Sequence, residues 1–287
     1  MLSQGRAETR PPPAENASPP DAYSIEPGNR YFDAISAVAN FELRPGPSVS
    51  FMAEVDLTQV HAVRQRAAAG AKPSFTAFVA KAIAVALKEF PYANRRVCRP
   101  PSLLWLVTRL QRFTRCDIAI ASERDVPGAE SVAFFDVFRD VDRLTLEGLT
   151  HGLRELSTSD ASTNAQWRAF STLVTRLPAW LSTLLIRLPY FFPHLWVRYR
   201  GAAVLISSPA KYGVDAVMAT QSFPLSAAFG LAKLRPVVRD GRLEPCLTFA
   251  LTVNFDRRIM AGAQAARFFR RVVEVLESAE TSLSHSP

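Results

Sequence analysis

The stretch NFDRRIMAG, residues 254–262, sets an aspartate, two arginines and a glycine where an alternating strand runs into a helix. A carboxylate and guanidinium groups at a strand end can hold an anion or orient a reacting group. A proton-transfer site also needs an acceptor, and Arg257 stands where a base would be sought. Guanidinium keeps its proton far above neutral pH, so Arg257 cannot act as a base. It can offer a planar set of donors to a carboxylate, a phosphate or a developing oxyanion, and its charge can lower the pKa of a nearby thiol. The plain alternative is a solvated or acid-paired side chain.

Several elements must position this stretch. In LTFALTVNF (247–255), Phe249, Leu251, Val253 and Phe255 alternate with Thr248, Ala250, Thr252 and Asn254, the pattern of a strand. AGAQAARFFRRVVEVLESAE (261–280) follows as a helix, and the polar end TSLSHSP is expected to fray. Upstream, SVSFMAEVDL (48–57) alternates as a strand, and TQVHAVRQRAAAG (58–70) reads as a short helix stopped by Gly70. PSFTAFVAKAIAVALKEF (73–90) is a helix begun at Pro73–Ser74 and ended by Pro91. Its apolar stripe of Phe75, Phe78, Val79, Ala82, Ile83, Ala86 and Phe90 is expected in the core. CDIAIASE (116–123) and VAFFDVF (132–138) read as strands joined by a turn in DVPGAE, and 142–156 as an amphipathic helix. Short strands follow in AAVLISS and PLSAAFGLAKLRPVV, with a hairpin turn at RDGRL.

With 287 residues, 48% hydrophobic and 21% charged, the chain can bury a full core. A net charge of +8 favours anionic partners, but the excess is scattered arginine without a basic block, which argues against nucleic acid. Three widely spaced cysteines, Cys98, Cys116 and Cys246, give no disulfide framework and no metal site, and fit a reducing, cytoplasmic compartment. No signal-peptide pattern opens the chain, and residues 1–30, with RPPPAENASPP, read as a disordered tail. The expected domain runs from 31 to 280, with a frayed tail at 281–287. His61 and His151 read as solvated.

Residues 166–200 are a compositional outlier, with five arginines, no acidic residue and RLP at both 176–178 and 187–189. Its apolar runs are too short to span a bilayer, which takes about 20 residues. Trp180, Tyr190, Trp196 and the interleaved arginines suit a membrane interface. Packing on the domain or on a neighbouring subunit is the alternative.

Four stretches together carry a family resemblance: SFTAFVAKAIAVALKEFPYANRR, the segment from CDIAIASERDVPGAE to DRLTLEGL, the segment from LISSPAKYGVD to VVRDGRL, and TFALTVNFDRRIMAGAQAARFF. From about 48 to 278 the chain resembles the catalytic domain of the 2-oxo acid dehydrogenase acyltransferases, relatives of chloramphenicol acetyltransferase. Residues 160–200 are less like the dehydrogenase cores and resemble stand-alone members. The resemblance implies an α/β, chloramphenicol acetyltransferase-like two-layer fold with a mixed sheet and packed helices. It implies coenzyme A or acyl-coenzyme A as cofactor and an acyl thioester and thiol acceptor as substrates. It also implies a homotrimer with each active site between two subunits. Neither a lipoyl-lysine motif nor a metal site is expected.

The family's general-base histidine falls on Arg257 and its second motif aspartate on Ala261, while Asp256, Arg258 and Gly262 keep the frame. The oxyanion-stabilising serine falls on Ser207, with Ser208 as a near alternative; a serine there can also simply cap a turn. His61 or His194 would have to approach in space to replace the base. An impaired or repurposed acyltransferase is therefore expected. The alternatives are a non-catalytic trimeric binding or scaffold protein, and a membrane-surface protein docking through 166–200.

Overall fold

The longest strand, β9 (Arg242–Asp256), pairs with three others and organises a seven-stranded mixed sheet. The computed structural model describes residues 30–31, 34, 48–68, 72–98, 109–126, 130–159, 163–218 and 223–283. Apart from Arg30, the expected N-terminal tail lies outside them, as does part of the DVPGAE turn. The sheet order is β1 (Ser48–Asp56), β9, β7 (Leu225–Phe229), β6 (Val204–Ser207), β4 (Ile118–Arg124) and β5 (Val132–Phe138). β8 (Lys233–Arg239) joins the other end of β9 through a hairpin whose Asp240 and Gly241 both have positive φ, as the Asp-Gly signal requires. β6 runs parallel to β4 and β7, and the remaining pairs are antiparallel. The α/β mixed sheet with packed helices expected from the sequence is observed.

One face of β9 is apolar as expected, with Phe249, Leu251, Val253 and Phe255 at most 3% exposed. The other face is also buried: Thr248, Thr252, Asn254 and the neighbouring Ser226 are at most 4% exposed. Asn254 joins Ser50 of β1 to Ser226 of β7 by hydrogen bonds across this face.

The helix expected over 73–90 spans Phe75–Glu89 (α2), and the Ser74 hydroxyl accepts from the Ala77 amide at 3.1 Å. Its burial extends beyond the stripe to Ala77, Ala80, Ala84 and Leu87. Lys81 is buried too, donating to the carbonyls of Asp142 and Leu144 at 2.7 and 2.6 Å. Those carbonyls lie within and just after a 3₁₀ turn (Val141–Arg143) that replaces the first turn of the helix expected over 142–156. That helix starts at Leu146 (α3, Leu146–Thr158), where the Thr145 hydroxyl caps it by accepting from Gly148. Thr58–Arg66 (α1) stops before Gly70. A short antiparallel pair, β2 (Arg95–Cys98) and β3 (Arg109–Arg112), forms where no strand was expected.

Residues 166–200 fold as three helices: α4 (Ala165–Arg176), α5 (Ala179–Phe191) and α6 (Pro193–Arg200). Their inner side is aromatic. Trp196 is 2% exposed and donates to the Ala202 carbonyl at 2.9 Å. The Arg200 guanidinium lies 4.6 Å from the Tyr190 ring centre and 5.2 Å from that of Phe135, and Arg96 lies 4.3 Å from that of Trp196. Burial lowers the Arg96 pKa to about 10. The segment is thus anchored to the domain by cation–π packing.

Gly262–Glu277 (α7) closes the fold. Its Ala261 cap position has extended backbone, and the Ala261 amide donates to Gln264 Oε1 at 3.1 Å. That is half of a capping box, since alanine has no oxygen to accept the return bond. The C-terminal end holds further than expected: a last helical turn, α8 (Ala279–Ser282), leads to Leu283, which is 3% exposed.

Two stability predictions follow from these contacts. Ala261→Asp supplies the missing acceptor and is expected to raise stability by about 1 kcal/mol in chemical denaturation. The buried Arg124–Asp136 pair (2.8 Å) also engages the Leu156 and Ser159 carbonyls and Asn164, joining β4 and β5 to α3 and the start of α4. Asp136→Ala strands that guanidinium and is expected to cost about 3–5 kcal/mol.

Candidate functional site

The turn after β9 is built around its own backbone. Asp256 accepts from the Arg258 amide at 2.8 Å, and its two oxygens take the Arg258 guanidinium at 2.9 and 2.6 Å. That bond raises the Arg258 pKa above its ordinary value. Ile259 and Met260, at 1% and 4% exposure, plug the turn into the core. Arg95, on β2, reaches over to the Ile259 carbonyl at 2.5 Å while its Nε donates to Tyr92, and the Tyr92 hydroxyl donates to the Gln264 carbonyl. Arg95 and Tyr92 were not singled out in the sequence. Only the fold carries them to a turn more than 160 residues away.

Against this held frame, Arg257 is exposed and makes no hydrogen bond or ion pair among the described residues. Ala261 and Gly262 are exposed beside it. A Cβ at Gly262 would meet nothing within 4 Å, so no contact within the described chain requires glycine there. The frame residues Asp256 and Arg258 thus satisfy each other, and Arg257 is left available to an anion.

Ser207 ends β6 half-buried, and its hydroxyl has no hydrogen-bond partner among the described residues. The turn-capping role goes to Ser208, whose hydroxyl donates to the Phe229 carbonyl at 2.8 Å and accepts from the Ala210 amide. The following loop is pinned on both sides. Lys211 reaches Glu123 at 2.6 Å, Tyr212 shares that carboxylate, and Leu231 donates to the Val214 carbonyl at 2.8 Å. Gly230 is required by this packing, since a Cβ there would sit 1.9 Å from the Asp215 carbonyl oxygen.

The structure does not bring Ser207 and Arg257 together in one chain. Ser207 is level with Ala228, and Ala228 with Thr252. Arg257 lies five residues beyond Thr252, about 17 Å further along the sheet and two strands across. No histidine hydrogen-bonds Arg257 or Ser207 among the described residues. His61 contacts Gln65, on a helix that begins beside Leu247, about 30 Å along β9 from Asp256. His151 lies near Glu155, and His194 packs on the Phe192 ring.

Cys98, Cys116 and Cys246 are all buried and unpaired. Burial raises the Cys116 thiol to about 12, which makes it unreactive at neutral pH. Among the described residues no group of three or more His, Cys, Asp or Glu could hold a metal ion.

Comparison with known proteins places the frame in a family. The 2-oxoacid dehydrogenases acyltransferase (catalytic domain) family matches residues 42–166 and 197–284. The acetyltransferase component of the pyruvate dehydrogenase complex of Pseudomonas aeruginosa is 28% identical over 83% of this chain, which covers 37% of that protein. The lipoamide acyltransferase component of the branched-chain alpha-keto acid dehydrogenase complex of Bacillus subtilis is 23% identical over 83% of this chain, which covers 48% of that protein. The chain therefore spans less than half the length of these relatives. In structure, a probable dihydrolipoamide acetyltransferase from Listeria monocytogenes matches with a TM-score of 0.67 and 18% identity, over 93% of this chain and all of that one. The cubic core of a pyruvate dehydrogenase complex matches at 0.66 and 23% identity, over 95% and 99%. With well over half its length matched, the chain belongs to the 2-oxoacid dehydrogenase acyltransferase catalytic-domain family.

Proposed function

We propose that this chain binds coenzyme A thioesters between two copies of itself, and that its acyl transfer is slow because position 257 holds no base. The carrying observation is Arg257: exposed, unpaired among the described residues, and set at the family's base position on an otherwise intact frame. The separation of Ser207 from Arg257 supports a site shared between copies, and a closed trimer is the proposed assembly.

Acyl transfer between thiols removes a proton from the incoming thiol, joins its sulfur to the thioester carbonyl and expels the other sulfur. Ser207 has a free hydroxyl suited to the oxyanion of the tetrahedral state. Arg257 can stabilise a thiolate or hold a phosphate or carboxylate of the ligand, but it cannot accept the proton. A missing base removes a contribution of roughly a hundred- to ten-thousand-fold. At the lower limit of turnover the protein is a thioester-binding scaffold built on an acyltransferase frame.

The test measures coenzyme A binding by calorimetry and thioester turnover on the same samples, with mass by sedimentation. Binding without appreciable turnover is expected. Arg257→His combined with Ala261→Asp should raise turnover by about a hundredfold or more. Absence of coenzyme A binding overturns the reading of the site. Rapid turnover by the unmodified chain, lost in Ser207→Ala, overturns the reading that its chemistry is impaired.

A further inference from the structure

The core side of β9 continues past the start of α2, where Phe75 meets Phe249, and there it loses its cover. Phe249 is 1% exposed, Leu247 is half-buried, Pro245 is exposed and Leu243 is 72% exposed. β8 repeats the pattern on the same side. Leu234, Pro236 and Val238 stand opposite Leu247, Pro245 and Leu243, and Leu234 and Val238 are each 69% exposed. The charges of β8 are on the other side of the hairpin, and that side faces the chain. Lys233 pairs with Asp215, Arg235 with Glu54 at 3.1 Å and Arg239 with Asp56, while Cys246 among them is 5% exposed. An antiparallel ribbon in a lone chain turns its apolar side inward and its polar side to water. Here the order is reversed, with charge folded in and the apolar side left out.

Chemistry narrows what covers that side. Pro236 gives the edge of β8 no amide donor at its centre, which opposes an added strand and leaves the side-chain face as the contact. The basic residues of β8 already hold carboxylates. At the tip, Arg242 and Glu244 have no partner among the described residues and are opposite in sign. An anionic lipid or nucleic acid therefore meets no free positive field here, whereas a neutral apolar protein surface fits. The exposed apolar area is on the order of 400 Å², about half of the roughly 800 Å² that one partner gives to a stable interface. The hairpin thus suits the apolar centre of a larger contact.

Register selects the partner. Ser207 is level with Ala228 and so with Thr252, which lies five residues from Leu247 in one direction and five from Arg257 in the other. A neighbour held by the hairpin sits on the far side of Ser207 from this chain's own Arg257. We propose that the outward face of the β8–β9 hairpin seats a second copy of this chain, the copy whose Arg257 completes the site at Ser207. The link to Ser207 rests on the shared site proposed above, whereas the contact itself does not.

Sedimentation of the full chain without coenzyme A tests the contact. The unmodified chain is expected to run as a multimer. The triple variant Leu234→Ser, Val238→Ser, Leu243→Ser is expected to run as a single chain with unchanged circular dichroism, since all three side chains are largely exposed. A second readout does not need the triple variant to fold. Cys98, Cys116 and Cys246 are buried, so a thiol introduced by Leu243→Cys is the accessible one. Its alkylation by a maleimide should slow by about tenfold or more from dilute to concentrated protein. Alkylation independent of protein concentration overturns the proposal, as does a single-chain mass for the unmodified protein or an unchanged mass for the triple variant. Coenzyme A binding should weaken by about tenfold or more in the triple variant, and full binding by single chains overturns the link to Ser207. If the unmodified multimer binds no coenzyme A, the shared site fails while the contact stands.

Discussion

Nine consecutive pairings hold β9 against β1, from Asp256 opposite Ser48 to Thr248 opposite Asp56, and the position of every other feature follows from that register. β7 and β8 take successive lengths of the other edge of β9, so one strand fixes three neighbours. A slip of one residue would send Phe249, Leu251, Val253 and Phe255 to the Ser50–Ser226 side and drive Thr252 and Asn254 into the helix-packed core. Because Asn254 is hydrogen-bonded to both neighbouring strands, the polar face also resists the slip. The same register delivers Asp256 to the rim of the sheet, where the chain turns into α7.

That turn is held by contacts that do not involve position 257. Asp256 pairs with Arg258, Ile259 is bonded by Arg95, and Met260 is packed in the core. Substitution at 257 can therefore change the chemistry without disturbing the frame. Ala261 differs, because it occupies the cap of α7. With no side-chain oxygen there, only the Gln264 half of the capping box is formed.

Much of this could be read from the sequence wherever the signal was local. The stripe of Phe78, Val79, Ala82, Ile83 and Ala86, the alternation leading to Phe255 and the Asp240–Gly241 turn each carry their own periodicity or backbone requirement. Local reading failed where a distant partner decides. Arg95, Arg96, Arg109 and Arg112 show no apolar alternation, yet they fold as strands; Arg96 lies against Trp196 and Arg95 caps a distant turn. Lys81 interrupts an apolar helix because two carbonyls of another segment need its ammonium. The motif from Asp256 to Gly262 was evident, whereas the distance between Ser207 and Arg257 was not. It depends on β6 running parallel to β7 and antiparallel to β9, which no short stretch encodes.

That geometry bears on what the protein can become. Ser207 and the motif turn lie at opposite ends of one sheet, so under the proposed function neither half acts alone and assembly is a condition for chemistry. Each half is built to stand unassisted, the Ser207 end by Glu123, Lys211 and Tyr212, the Arg257 end by Arg95 and Arg258. A change at position 257 therefore leaves the contacts that hold each half in place. Under the proposed function binding and turnover are separable, because position 257 can change without disturbing the contacts that hold the turn.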